Sequence, residues 1–314
     1  ILDEPTAVLA PAESEVLLGW LRRFAGAGGT VVLITHKLRE ALAVADDLTV
    51  LRRGRTVLAT SRADADEHAI VAALAGEGAI PGERVHAQPV KQAPARESAR
   101  SGTPVLELDH VSYVDARGVS RLRDVTLAVR AGETLGVLGV EGAGQRELLR
   151  ILAGRLEPSE GRVRRPARVG FIPEDRLHDA LIPELSLTEN FALAEAGRLR
   201  GLVNWSAFAE RTAALLLRAD VRADASTSAA ATLSGGNQQK FVVGREREIA
   251  VEALVAENPT RGLDLRAAAL VREGIGASGD TAAAVVFYSA DIEEVLAVAD
   301  RVVVCFDGQV REVE

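Results

Sequence analysis

The 314-residue sequence contains a single cysteine, Cys305, and no methionine. One cysteine excludes an internal disulfide and a zinc site built from several thiolates, and it fits a reducing compartment. No apolar run reaches the roughly 18–20 residues that a membrane-spanning helix needs. No signal-peptide pattern is visible, so any membrane role is expected to run through a partner. A basic excess is missing as well: 37 Lys and Arg stand against 45 Asp and Glu, a net charge of −8. That balance argues against nucleic acid, whose binders usually carry a basic stripe. Hydrophobic residues at 47% and charged residues at 26% suit a packed soluble core. The length allows one large domain or two ordinary ones. Because methionine is absent even at position 1, and Ile1-Leu2 reads as the end of a buried strand, the N-terminus shown is expected to be a cut.

An internal repeat organises the chain. The segment from Asp3 to Gly54 matches a later one at a constant offset of 254, as from Pro5 to Pro259. Thr6 pairs with Thr260, Leu9 with Leu263, Glu40 with Glu294 and Gly54 with Gly308. The run Leu42-Ala43-Val44-Ala45-Asp46 recurs as Leu296-Ala297-Val298-Ala299-Asp300. A five-residue match arises by chance in an alanine-rich chain, but a shared register over so long a stretch does not. The second copy has a long stretch of its own domain ahead of Pro259, whereas only four residues precede Pro5. The first copy is therefore expected to lack its front half. Residues 81–103, with three prolines, little apolar content and no periodicity, read as a linker. The expected division is 1–80, linker 81–103, and 104–314.

Val31 to Ile34 and Ala284 to Phe287 are short apolar runs of buried-strand type. Each precedes a helical stretch, Leu38 to Ala45 and Ile292 to Ala299. Strands alternating with helices imply an α/β fold with a largely parallel sheet. Val105 to Val111, Val125 to Val129 and Thr134 to Val140 read as strands and suggest an antiparallel portion first. The helix-rich stretch from Leu187 to Leu217 has the place of an inserted subdomain.

Four strings carry chemistry. Gly139-Val140-Glu141-Gly142-Ala143-Gly144 lies between a strand and a helix starting at Arg146, the setting in which backbone N–H groups and a helix N-terminus cradle phosphate. Lys and then Ser or Thr would complete it, but Gln145 and Arg146 stand there, with neither the ammonium nor the magnesium-binding hydroxyl. A glycine turn without ligand fits the loop equally well. Asp3 and Glu4, after an apolar strand end, suit a magnesium-organising and a water-activating acid. An adjacent acid pair alone is more often a solvated turn. His36 follows the next strand, where a lone histidine is more often a cap or surface residue. Leu233-Ser234-Gly235-Gly236-Asn237-Gln238-Gln239-Lys240 offers a hydroxyl and backbone N–H groups to an anion; its plain alternative is a helix N-cap.

LSGGNQQK resembles the signature motif of ABC ATPases, in the wording of importers of simple sugars and nucleosides. ILDEPTAVL with ITHKLREAL is similar to the Walker B, D-loop and switch-histidine region of their first ATPase domain. GVEGAGQREL, FIPEDR and NPTRGLD are similar to their second. Gln145, AENPT and YSADIEE most resemble the nucleoside-type branch, whose second domain is commonly degenerate. The resemblance implies an α/β P-loop NTPase of ABC type in two copies, the first incomplete. Each copy would have a mostly parallel sheet, an antiparallel β portion and an inserted helical subdomain.

The resemblance further implies ATP and Mg2+ as ligands, held between two domains paired head to tail. Asp3 would hold magnesium through water, Glu4 would polarise the attacking water and His36 would contact the γ-phosphate. Ser234, Gly235, Gly236 and Gln238 would close that site from the other domain. Gly139, Gly142, Gly144, Gln145 and Arg146 would form a second site that at most binds nucleotide. There the repeat offset places Glu257, Asn258 and Ala290 opposite Asp3, Glu4 and His36, so the carboxylate that activates water and the histidine are missing. Glu174 stands where relatives often carry a Q-loop glutamine. Tyr113 suits either an adenine-stacking aromatic or a core tyrosine. The implied partners are membrane permease subunits and, indirectly, a solute-binding protein, with no nucleic acid. The implied location is the cytoplasmic face of the bacterial cell membrane. The whole protein would hydrolyse ATP to drive import of a nucleoside or simple sugar, while this chain alone is expected to be inactive. A soluble tandem ABC protein acting on ribosomes or DNA, or a non-catalytic fragment, are the alternatives.

Overall fold

The structure, a computed structural model, describes residues 1–3, 5–6, 9, 11–35, 38–52, 54–66, 69–70, 73, 103–140, 142–249, 252–261, 263, 268–269, 271–272, 275 and 283–313. The expected linker, apart from Thr103, lies outside them. The chain divides into two compact units, residues 1–88 with 264–266, and residues 89–263 with 267–314.

The first unit contains β1 (Leu2–Asp3), α1 (Pro11–Gly26), β2 (Leu33–Ile34), α2 (Leu38–Val44), β3 (Asp47–Arg52) and β4 (Arg55–Ser61). β1 pairs with β2 in parallel, and β3 with β4 as an antiparallel hairpin. Leu48, Val50 and Ile70 form a small core against Leu38, Ala41, Leu42 and Leu58. The run from Val31 was expected to be a buried strand. Instead only Leu33 and Ile34 are in strand, and Val32 and Ile34 are each 50% exposed. Among the described residues β2 has one neighbouring strand, so its apolar faces lack the layers that bury a parallel strand.

The second unit opens with β5 (Pro104–Val114), β6 (Ser120–Arg130) and β7 (Thr134–Gly139). α3 (Gln145–Leu152), β8 (Glu160–Arg164), β9 (Val169–Ile172), α4 (Arg176–Asp179), α5 (Leu187–Ala194) and α6 (Trp205–Arg218) follow. α7 (Gly235–Ile249), β10 (Ala253–Glu257), β11 (Ala284–Tyr288), α8 (Ile292–Val298), β12 (Arg301–Phe306) and β13 (Gln309–Glu312) complete it. The main sheet runs β13-β12-β7-β11-β10-β9 and is parallel except for the β12–β13 hairpin. A smaller antiparallel sheet, β6-β5-β8, forms the β portion; Thr134–Gly139, grouped with it from the sequence, runs instead in the parallel sheet as β7, between β12 and β11.

Side chains alternate across a strand, and the core follows that rule. Ala253 and Val255 of β10, with Ala284 and Val286 of β11, pack toward Leu148, Leu149 and Leu152 of α3 and toward the small sheet. Leu254, Ala256, Val285 and Phe287 face the other layer, with Phe191, Phe241 and Val295. All ten positions of β10 and β11 are buried, as parallel strands covered on both faces require. The helical insertion is well capped. Ser186 and Glu189 form a reciprocal capping box at α5, and Asn204 caps α6.

The sequence repeat is a geometric one. The register Leu2↔Leu33, Asp3↔Ile34 recurs at the offset of 254 as Ala256↔Phe287, Glu257↔Tyr288. α2 and α8 begin and end at equivalent positions. Thr6 Oγ1 donates to Glu40 at 2.6 Å, and Thr260 Oγ1 donates to Glu294 at 2.8 Å. The hairpin ends Arg52↔Arg55 and Phe306↔Gln309 correspond, and both turns place glycine in the left-handed region, Gly54 at φ 73° and Gly308 at φ 76°.

Candidate functional site: a closed glycine loop and an open signature

β7 ends at Gly139, and the chain turns through Gly142 (φ 83°) and Gly144 (φ 103°) into α3. These left-handed angles favour glycine. At Gly144 a side chain is excluded on a second count, since a Cβ would lie 2.4 Å from the Arg121 carbonyl oxygen. Gln145, where a P-loop lysine would stand, is 4% exposed. Its Nε2 donates to the Val140 carbonyl at 3.0 Å, so the side chain folds back on its own loop. Its Oε1 is buried without a hydrogen-bond partner. Arg146 is exposed at the first turn of α3.

One turn further, Arg150 donates through Nε to Glu257 Oε1 at 3.0 Å and through Nη2 to Glu257 Oε2 at 3.4 Å. Nη2 also meets Asp179 at 2.6 Å. Glu257 ends β10 and is 2% exposed. Burial pushes its pKa up, and the bonds and charge of Arg150, with the charge of Arg146, pull it back only in part. Burial also acts to raise Asp179, but hydrogen bonds from His178 and Arg150 outweigh it and hold this carboxyl below its usual range. Burial disfavours charge on Arg150, yet its two carboxylate partners overcome that and keep it firmly cationic. This bidentate pairing is the fork geometry that arginine supplies.

Asn258 and Ala290, the counterparts of Glu4 and His36, are joined to each other. The Ala290 N–H donates to Asn258 Oδ1 at 2.9 Å, and Asn258 itself has φ 40°. Glu174 pairs with Arg261. Tyr113 is half-buried against the apolar core cluster. Asp3 is exposed at the end of β1, while Glu4 and His36 lie outside the described residues. Among the described residues no group of three or more His, Cys, Asp or Glu side chains could hold a metal ion.

The signature string opens α7. Ser234 is exposed just before the helix, its Oγ accepting from Asn237 Nδ2 at 3.1 Å. Gln238 is buried; it donates to the Ala230 carbonyl at 3.1 Å and accepts from Arg176 Nε at 3.2 Å. The Arg176 guanidinium overlies Gly235, where an added Cβ would fall 2.6 Å from Nη2. Gly236 follows in the first helical turn. Arg150, Asp179 and Arg176 were not singled out from the sequence. The spacing of Arg146 and Arg150, four residues apart on a helix, is the signal that both lie on one face.

A parallel sheet with a glycine loop feeding α3, an antiparallel β portion and a helical insertion ahead of α7 give the second unit the fold of ATP-binding cassettes. The family model described as ABC transporter matches residues 122–260. The chain is 32% identical to the nucleoside import ATP-binding protein NupA of Lactococcus lactis subsp. cremoris, over 99% of this chain and 63% of that protein. It is 35% identical to the glucose import ATP-binding protein TsgD13 of Haloferax volcanii, over 99% of this chain and 58% of that one. The chain thus spans about three fifths of the length of these relatives. A dimeric ATP-binding cassette solved in a post-hydrolysis state with ADP and Pi matches 67% of the chain and 98% of its own length, with a TM-score of 0.60 and 23% identity. That likeness concerns the fold.

Proposed function

We propose that the chain is part of a tandem ATP-binding subunit that hydrolyses ATP to drive import of a nucleoside or simple sugar through separate permease subunits, with a solute-binding protein acting indirectly. Its place is the cytoplasmic face of the cell membrane, as a peripheral subunit. Residues 1–80 are read as the C-terminal part of a first ABC domain, 81–103 as the linker and 104–314 as the second, degenerate domain. Hydrolysis belongs to a site where Asp3 holds Mg2+ through water, Glu4 polarises the attacking water and His36 contacts the γ-phosphate. Ser234, Gly235, Gly236 and Gln238 grip the same ATP. The glycine loop from Gly139 to Gly144, with Gln145 and Arg146, binds nucleotide without hydrolysing it.

One observation supports this division of labour. Ser234 is exposed at a built helix start, whereas the catalytic positions beside the glycine loop are bonded to one another. The test uses the full-length subunit with its permease. Ser234→Arg, which puts bulk and a long cation where a phosphate must dock, is expected to lower uptake and ATPase rate about tenfold or more. Gln145→Ala is expected to do much less. Equal losses at matched expression, or a larger loss for Gln145→Ala, would rule out the composite site.

A further inference from the structure

Glu257 stands at the position of the magnesium-organising acid, yet the residues around it do not fit a magnesium ion. Both of its carboxylate oxygens already accept from Arg150. The hydroxyl expected one residue after the loop's lysine position is replaced by Arg146. The neighbouring acid is the amide Asn258, whose Oδ1 is taken by the Ala290 N–H. Mg2+ demands a near-octahedral shell of oxygens, and this corner offers two guanidinium groups instead. Arg146 and Arg150 lie one turn apart on α3, and the charges of both reach Glu257.

The loop nevertheless keeps anion-binding geometry. Gly142 and Gly144 are left-handed, and the N-terminus of α3 has no side-chain cap. At the base of the loop Gln145 Oε1, 3.5 Å from where a Gly139 Cβ would stand, is buried without a donor; as an acceptor it can meet an N–H or O–H group but not a phosphate oxygen. We propose that this loop takes a nucleoside di- or triphosphate free of Mg2+, with Arg150 cancelling Glu257 and Arg146 supplying positive charge at the phosphates. The proposal rests on the reading that the loop is a nucleotide site. It goes beyond that reading by making the site insensitive to the metal that the hydrolytic site requires.

Equilibrium dialysis of the 314-residue chain against labelled ATP and ADP tests it, in excess Mg2+ and in excess EDTA. The two dissociation constants are expected to agree within about twofold, and those of Glu257→Gln to agree with each other as closely, whatever their absolute value. Arg150→Met uncovers a carboxylate beside the phosphates. Its binding should weaken about tenfold in EDTA and recover when magnesium is added. Circular dichroism checks that variant's fold, and Glu257→Gln carries the test alone if Arg150→Met fails to fold. The proposal is overturned if the native chain loses binding in EDTA and Glu257→Gln abolishes the gain from magnesium, because Glu257 is then a metal ligand. Absence of binding in both conditions overturns it too and removes nucleotide from this loop. The uptake test on Ser234 would stand apart from that result.

Discussion

Cys305 shows how an isolated residue is governed by its surroundings. It sits in β12 at 1% exposure, and burial, helped by the charge of Glu147, pushes its thiol up to about 12. The thiolate is the reactive form, so the folded chain should resist iodoacetamide at mildly alkaline pH and label quickly in denaturant. Mass spectrometry reads the difference, and rapid labelling of folded chain would contradict the burial. The linkage has a definite sign. The folded pKa lies above the ordinary 9.0, so the contribution from the neutral thiol is complete below about pH 9 and declines as pH rises toward 12. Cys305→Ala should therefore unfold less steeply across that alkaline window than the native chain does. Arg150 shows the balance with opposite charge: burial acts to lower its pKa, and its two carboxylate partners outweigh that and raise it.

At the level of elements, α3 links the core to the loop. Leu148, Leu149 and Leu152 are fully buried under the sheet, while Gln145, Arg146 and Arg150 sit at or near the loop. Leu148→Ala should lower stability by about 2–5 kcal/mol in urea denaturation. Leu217→Ala, at a position 85% exposed on α6, should change it by no more than about 0.5 kcal/mol. An equal effect at both would mean that α3 does not pack as described. The contrast also explains what was legible in the sequence. Ala284 to Phe287 announced itself because a strand buried on both faces is apolar throughout. Val31 to Ile34 looks the same on paper, but burial depends on neighbouring strands, which a local pattern does not report. The glycine loop and the signature could be read because their chemistry is contiguous. The ion pair of Arg150 with Glu257 joins residues 107 positions apart, and no local spacing encodes it.

For the whole molecule, the described parts hold one glycine loop, which runs straight into Gln145, and the same unit carries Asn258 and Ala290. The chain by itself should show no appreciable magnesium-dependent ATPase activity. Turnover on the order of 1 per second, an ordinary enzyme rate, measured on pure chain by phosphate release, would contradict the assignment of a non-hydrolytic site. The repeat gives the two units a common plan. The two units share strand register and the threonine–glutamate tie, and in sequence they differ at Asp3 and Glu257, at Glu4 and Asn258, and at His36 and Ala290. The bond between Ala290 N–H and Asn258 Oδ1 then bears on what position 258 accepts. Asn258 occupies a left-handed backbone conformation, which asparagine tolerates far better than glutamate. Glutamate there would carry the backbone strain, and its longer side chain would have to reach the Ala290 N–H in a different way. Residue 290 is not bound in the same way: the bond uses its main-chain N–H, which any residue but proline supplies, so the tie constrains the side chain at position 258 alone.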